Sequence, residues 1–528
     1  MTITFRKLAR GEYIPTQSCN VAYLQPDNWD DFGYKTLFSL EIFDGQGQRQ
    51  SIGSVKIGLM GQVDGWTEKE IPTQFNTLND NFYSLGQDAE YYKNIVEKFP
   101  NEIAFYVLTA LGDVAYDFKR LASVRKESAF NTSLLRNVNY STIVQQFKRI
   151  LNHEAELTKY DFFYEKAAND NYSGIKVEFK VEPNAKPSSN IHILIGRNGV
   201  GKTTLLNNMV DALLPNRGEE SDTGFFAIRS PKGVDEPLNE HYFAGVVSVS
   251  FSAFDPFSPP DDQSNANKGM RYYYVGLKKR KDQQVSVQGS IKNTDELSSD
   301  FISSIKLCFS LTAKRDRWLN SIRVLESDSN FEAMNLSQLI NFYTNDFTDE
   351  KLYFTKQAYF LFKKMSSGHA IVLLSITKLV ETVEEKTLVL LDEPESHLHP
   401  PLLSAFTRAL SNLLVNRNGV AIIATHSPVV LQEVPKSCVT ILRRNRLFLN
   451  VDRPESETFA ENVGVLTREV FGLEVTKSGF HNLLANSVEQ GKSYEEIEEE
   501  YQYQLGFEGQ AILRSMILYR DSQEGAKR

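Results

Sequence analysis

The sequence predicts an α/β chain centred on a parallel sheet. Two observations carry this. Ile191–Ile195 (IHILI), Thr387–Leu391 (TLVLL) and Val420–Ala424 (VAIIA) are continuous apolar runs of strand length. Runs without polar alternation suit strands covered on both faces, as parallel strands are. Each run also ends in a polar motif, GRNGVGKT, DEPE or THSP. Parallel sheets carry their ligands at such C-terminal strand ends.

Composition bounds the rest. At about 150 residues per domain, 528 residues make roughly three units. Hydrophobic residues at 41% and charged residues at 24% are ordinary for a globular chain with a sizeable core. The net charge, 58 − 67 = −9, argues against a surface that coats nucleic acid throughout. Cys19, Cys308 and Cys438 lie far apart and form no CxxC or zinc spacing, so reduced thiols and a cytoplasmic location are expected. The opening MTITFRKLARGEY has no apolar run and does not read as a signal peptide. The most apolar stretch, Ala370–Val380, is interrupted by Ser375, Thr377 and Lys378, so no membrane span is expected.

Along the chain, residues 1–170 read as an N-terminal α+β domain of unknown role. Alternating runs near Tyr34–Phe43 and Gln50–Met60 predict strands. Ala104, Val107, Leu108 and Leu111 recur at helical spacing, and Ile143–Leu151 predicts more helix. Residues 171–455 hold the parallel-sheet unit, with a mostly helical lobe over about 297–380. Ile175–Val181 alternates, as a one-sided strand does, and DPFSPPDDQSNANK from Asp255 to Lys268 reads as a loop. Residues 456–528 read as a helical C-terminal region, in which Ser493 and Glu496 make a capping box ahead of the stripe Ile497, Tyr501, Leu505. The acidic run Glu495–Glu500 suits a helix N-terminus. No repeat and no sustained heptads are present.

Gly196-Arg-Asn-Gly-Val-Gly-Lys-Thr203 fits the phosphate-binding pattern GxxxxGK[ST]. Its candidate contacts are Gly196, Asn198, Gly199, Gly201, Lys202, Thr203 and Thr204. The glycines let backbone N–H groups wrap phosphate oxygens, Lys202 reaches the β- and γ-phosphates, and the Thr203 hydroxyl binds Mg²⁺. The cofactors implied are ATP and Mg²⁺. Asp392 and Glu393 follow an apolar strand, so Asp392 is the second candidate Mg²⁺ ligand and Glu393 the group that polarises the attacking water. Ser366, Ser367 and Gly368 open a helix, where hydroxyls and free N–H groups make an anion site. His426 ends the next strand and is placed to contact a γ-phosphate.

These four motifs, in this order, resemble the ATP-binding-cassette (ABC) ATPases over about Ile175 to Val451. The resemblance implies an ABC-type P-loop head with a helical signature lobe. It implies that Ser366 and Gly368 touch the γ-phosphate of a partner's ATP, so that the heads form a homodimer or higher homo-oligomer. DEPExHLHP with ATHSP looks like the soluble branch that includes SMC, RecF-like, OLD-like and Septu PtuA-type ATPases. His399 stands where transporter cassettes usually carry an Asp, and the signature ends in His369 rather than Gln or Glu. No glutamine loop follows Gly245–Ser250; Ser252 or Asp255 is the candidate substitute. FSAFDPF, Tyr272–Lys278 and the tail ENVGVLTREVFGLEVTKSGFHNLL resemble ATPases of bacterial antiphage operons.

The gap of 366 − 203 = 163 residues, without heptads, leaves no room for SMC-type arms. The 78 residues after Asn450 contain no DxD pair for a TOPRIM module, and no HNH spacing exists. The expectation is therefore an ATPase that cuts nothing itself and acts as sensor and scaffold for an effector, such as an HNH nuclease, in antiphage defence. The alternative is a RecF-like repair ATPase acting directly on DNA. Three basic clusters, Lys278–Lys281, Lys314–Arg317 and Arg443–Arg446, are either solvated faces or nucleic-acid contacts, and Trp318 is expected to pack into the lobe.

Overall fold

The computed structural model describes residues 3–152, 159–169, 173–214, 223–229, 235–239, 242–252, 257–264, 269–279, 291–346, 348, 351–445, 448–475 and 479–525. Seven strands form the central sheet. They are β1 (Ile191–Gly196), β2 (Gly245–Ser250), β3 (Arg271–Gly276), β4 (Thr387–Asp392), β5 (Val420–Thr425), β6 (Val439–Asn445) and β7 (Phe448–Asp452). Their order is β3-β2-β4-β5-β1-β6-β7, parallel except for the β6–β7 hairpin.

The apolar runs become strands because both faces of the sheet are covered. Ile191, Ile193 and Ile195 of β1 join Val389, Leu391 and Ile423 on one face. That face is closed by α2 (Thr294–Ser310), α3 (Thr312–Leu325), α4 (Ser367–Thr382) and α5 (Pro400–Arg417), with Trp318 fully buried among them. The Trp318 indole N–H donates to Thr377 Oγ1 at 2.9 Å, which satisfies its one polar atom in the lobe core. Leu194, Leu388, Leu390 and Ile422 face the other way, onto α1 (Lys202–Leu213) and a second sheet. That antiparallel sheet runs Ile175–Val181, Tyr160–Lys166, Phe225–Arg229, Asp235–Pro237. Tyr160–Lys166, inside the stretch read from sequence as the first unit, therefore belongs to the second by its pairing with Ile175–Val181.

The N-terminal unit is a six-stranded sheet around Leu37–Phe43 and Arg49–Leu59, covered by helices Ala89–Lys98 and Asn101–Leu111 over its own core. It abuts the base of the central sheet and the lobe through buried charge. Asp88 contacts Arg317 at 2.7 Å and Arg417 at 3.2 Å. Glu384, in the link between α4 and β4, contacts Arg417 at 2.7 Å and Lys314 at 2.9 Å. The cluster Lys314–Arg317 thus splits. Lys314 and Arg317 are buried at this junction, and their place as a solvated face or nucleic-acid contact is corrected. Sequence could not show this, because the carboxylates that neutralise them come from distant segments.

At the C-terminus, Phe480–Glu489, Tyr494–Glu500 and Phe507–Gly525 pack around Leu484, Val488, Ile497 and Leu513. The Ser493–Glu496 capping box is formed in both directions. Among the described residues no helix is long and apolar enough to cross a membrane.

Candidate functional site

The site lies at the C-terminal ends of β2, β4, β5 and β1. Register aligns Ser250 with Asp392 and Asp392 with Ala424, so the polar residues past each strand emerge on one rim. β5 separates the P-loop strand from the Asp-Glu strand, which puts His426 between the two motifs.

The P-loop is shaped by its glycines. Gly199 and Gly201 have φ of 79° and 101°, which side chains resist, and a Cβ on Gly196 would collide with the Leu442 carbonyl across β6. Gly201 leads into α1, whose first residue is Lys202. The Lys202 ammonium is buried and donates to the carbonyls of Gly196 and Arg197, both at 3.0 Å. Burial lowers its pKa, while Glu393, Glu395 and Asp392 favour its charge. Thr203 is half-buried, and Thr204, Asn198 and Gly199 are exposed on the rim.

Glu393 sits in the left-handed region at φ 44° and its N–H donates to Ala424 O at 2.9 Å. A non-glycine residue there carries about 1 kcal/mol of strain, which the surrounding contacts must sustain. The turn aims Glu393 Oε1 to 3.9 Å from Lys202 Nζ and 3.7 Å from His426 Nδ1. Asp392 is buried beside it at the end of β4. Its carboxylate and the Thr203 hydroxyl are hard oxygen donors that suit Mg²⁺, an ion that takes one or two protein ligands and fills its shell with phosphate and water.

Glu395, for which the sequence alone suggests no role, holds His426. Its Oε1 accepts from Thr425 Oγ1 and from the His426 backbone N–H, both at 2.6 Å, and lies 3.0 Å from His426 Nδ1. The signal was in plain view as the second glutamate of DEPE.

Ser366 is the N-cap of α4 and Ser367 its first residue; both are exposed. Among the described residues no hydrogen bond or ion pair joins Ser366, Ser367 or Gly368 to the P-loop, Glu393 or His426. A Cβ on Gly368 would lie 2.5 Å from the His397 carbonyl oxygen, so glycine allows α4 to approach the loop after Glu393. His397 Nε2 is 3.3 Å from Phe251 O, which ties that loop to the segment after β2 where Ser252 lies. Asp255 lies outside the described residues.

The other basic clusters are partly committed. Lys278 is buried with its ammonium on Phe257 O at 2.7 Å, and Lys279 pairs with Glu296 at 2.6 Å. Arg443 pairs with Asp452 at 2.9 Å and Arg444 is exposed. Arg280, Lys281 and Arg446 lie outside the described residues.

This strand order, with its glycine-rich loop, its Asp-Glu strand end and its histidine strand end, is a P-loop fold of the ABC type. Residues 286–432 match the family model of an AAA domain described in terms of an AbiEii toxin and a Type IV toxin–antitoxin system. The chain is 45% identical to the protein ea59 of Escherichia phage lambda, over 98% of this chain and 99% of that one. It belongs to the family of that phage protein. Among solved structures, cbiO1 from Clostridium perfringens, part of the ABC transporter complex cbiONQ, matches at 14% identity and TM-score 0.29, over 61% of this chain and 95% of its own. UvrA2 from Deinococcus radiodurans matches at 16% identity and TM-score 0.29, over 64% of this chain and 43% of its own.

Proposed function

We propose that this chain binds ATP with Mg²⁺ and hydrolyses it in a head-to-head dimer, and that the ATP state of the dimer controls a partner effector in conflict between phage and host. The observation that carries the reading is the convergence of Lys202, Glu393, Glu395 and His426 on one rim, with Ser366 and Ser367 exposed at the start of α4.

In this reading the P-loop N–H groups and Lys202 hold the phosphates. Thr203 and Asp392 would hold Mg²⁺, which would supply positive charge to the bound phosphates. Glu393, 3.9 Å from the Lys202 ammonium, orients the attacking water and takes its proton. Glu395 fixes His426 toward the γ-phosphate, so that cleavage is sensed at the strand end. The partner's Ser366 and Gly368 would close the site from the other side, which couples dimerisation to ATP.

The effector part rests on the motif set and on the toxin–antitoxin description of the matching family model. A nuclease such as an HNH enzyme is the effector proposed. The test is a tagged pull-down from the native host with its neighbouring genes intact, followed by incubation with plasmid and phage DNA with and without ATP. A co-eluting protein with nucleotide-controlled cleavage supports the reading. A single chain with DNA-stimulated ATP hydrolysis and no cleavage replaces it with direct action on DNA, as in RecF-like repair.

A further inference from the structure

The N-terminal unit carries a strip of unpaired cations. From Phe118 to Arg149 the chain has seven basic residues and one acid, Glu127, a local charge of 7 − 1 = +6 in a chain of net −9. Three of the seven are committed within the fold. Arg120 pairs with Asp80 at 3.0 Å, Arg136 with Asp31 at 2.8 Å and Arg149 with Glu385 at 2.9 Å. Lys119, Arg125, Lys126 and Lys148 are exposed, and among the described residues none of these four has an ion pair.

The fold lines these four up. Phe118–Val124 is a helix, and its C-cap Arg125 keeps helical backbone angles. Seven residues make two turns to within about 20°, so Phe118 lies in line with Arg125 and Lys119 in line with Lys126. The neighbouring helical stretch runs from Tyr140 to Leu151. Lys148 Nζ lies 5.2 Å from the centre of the Phe118 ring, and Arg125 Cζ lies 5.0 Å from that of Tyr140. The two stretches are therefore antiparallel neighbours with a cation held over a ring at each end. In a plain α-helix the eight residues from Tyr140 to Lys148 would overshoot two turns by about 80°. The wider π turn Ile143–Phe147 takes up that excess, so both residues meet the first helix. At about 1.5 Å per residue the strip is roughly 10 Å long, about three nucleotide steps of one strand.

We propose that this strip docks the phosphate backbone of a nucleic acid, which gives the N-terminal unit a partner of its own. The occupant follows from charge. Unpaired cations in parallel rows match a polyanion with regularly spaced charges, and each phosphate they neutralise releases a counterion. A lipid surface fits less well, because it takes in free apolar side chains. The two exposed rings here are covered: Lys148 lies over Phe118, and Tyr116 stacks on Phe105 with centroids 5.2 Å apart. Asp117 and Glu127, which flank the first helix in sequence, are occupied. Asp117 accepts from the N–H groups of Lys119 and Arg120, and Glu127 accepts from the Gly61 N–H at 2.8 Å.

The experiment measures binding of the full chain, without ATP, to a fluorescent DNA duplex and to one of its strands between about 50 and 200 mM salt. Four phosphate contacts give a log–log slope of about −3.6 on duplex and about −2.8 on the single strand. Duplex affinity should therefore fall about a hundredfold across that range. Either slope supports the proposal, and the form bound more tightly identifies the backbone. The variant K119Q/R125Q/K126Q/K148Q should lose at least about tenfold in affinity at the low-salt end and bring the slope close to zero. R125Q and K148Q alone should each flatten the slope by about one, which keeps the test sound if the quadruple variant does not fold. Undiminished binding by a folded quadruple variant overturns the proposal. So does the absence of wild-type binding at low salt, or equally tight and equally substitution-sensitive binding to vesicles of phosphatidylserine and phosphatidylcholine in equal parts. Working without ATP keeps the result apart from the nucleotide reading, since a chain that turns over no ATP can still pass.

Discussion

Asp88 Oδ2 lies 2.7 Å from the Arg317 guanidinium, and this pair joins the N-terminal unit to the lobe that carries the signature turn. Arg417 reaches the other Asp88 oxygen at 3.2 Å and continues to Glu384, between the signature helix α4 and the Asp-Glu strand β4. The ionic chain therefore runs from the N-terminal unit to the link between the C-terminal end of α4 and the start of β4, at the base of the central sheet. D88N keeps the cap of helix Ala89–Lys98 but leaves two buried guanidiniums short of charge. Breaking a buried pair in this way costs about 3–5 kcal/mol. Urea unfolding should show a lower midpoint of that size.

The same carboxyl sets an acid limit. Burial alone would raise it, but Arg317 and Arg417 override burial and hold Asp88 well below the usual 3.8. A depressed carboxyl contributes stability that is present above pH 3.8 and lost as pH falls through its folded value. Wild type should thus lose stability below about pH 4 with a steeper slope than D88N in thermal melts across acid pH.

Glu90 acts in the opposite sense. Burial, then the neighbouring Asp88 charge, pushes its carboxyl up from 4.5 to about 7. A raised carboxyl favours the fold below pH 4.5 and loses that contribution as pH climbs through about 7. E90Q should therefore be more stable than wild type at pH 8, by roughly 1–3 kcal/mol, and nearly equal to it at pH 4.5. Equal melting temperatures at pH 8 would contradict this.

Much of the central unit was legible because its signals are local. Thr387–Leu391 and Val420–Ala424 are apolar throughout because both faces are covered, and GRNGVGKT marks its own turn. The N-terminal junction was not legible. Lys314 and Arg317 sit on a helix with the charge density of a solvated face, and only the fold brings Asp88, 229 residues from Arg317, against them. Glu395 differs: it was visible in DEPE, but its role depends on β5 lying beside β4.

At the nucleotide rim three substitutions should separate. K202A should abolish ATP binding in equilibrium titration, since this buried ammonium is the one positive side chain on the P-loop helix. E393Q should bind ATP normally, lose turnover by at least about a hundredfold and accumulate a closed dimer. E395Q should keep binding and lose turnover by about 5–150-fold, the equivalent of 1–3 kcal/mol for a disturbed buried acceptor. If E395Q turns over at the wild-type rate, Glu395 does not position His426.

Gly368 offers a geometric test of the signature turn. A methyl group there meets the His397 carbonyl oxygen at 2.5 Å, and that atom is backbone, held in a tight turn after Glu393. The turn cannot give way cheaply, so α4 must retreat in G368A and carry Ser366 with it. The substitution raises local helix propensity by about 1 kcal/mol, which partly offsets the clash in overall stability. The chain should therefore still fold and still bind ATP on its own P-loop within about twofold, a difference of about 0.4 kcal/mol. What it should lose is the face offered to a second head. Light scattering of G368A in the E393Q background should show monomers with ATP where E393Q alone shows dimers. Mixing G368A with K202A, each defective on a different side of the composite site, then gives a decisive reading. One intact site per mixed dimer should restore part of the turnover if the signature acts between chains, and none if Ser366 and Gly368 serve only their own chain.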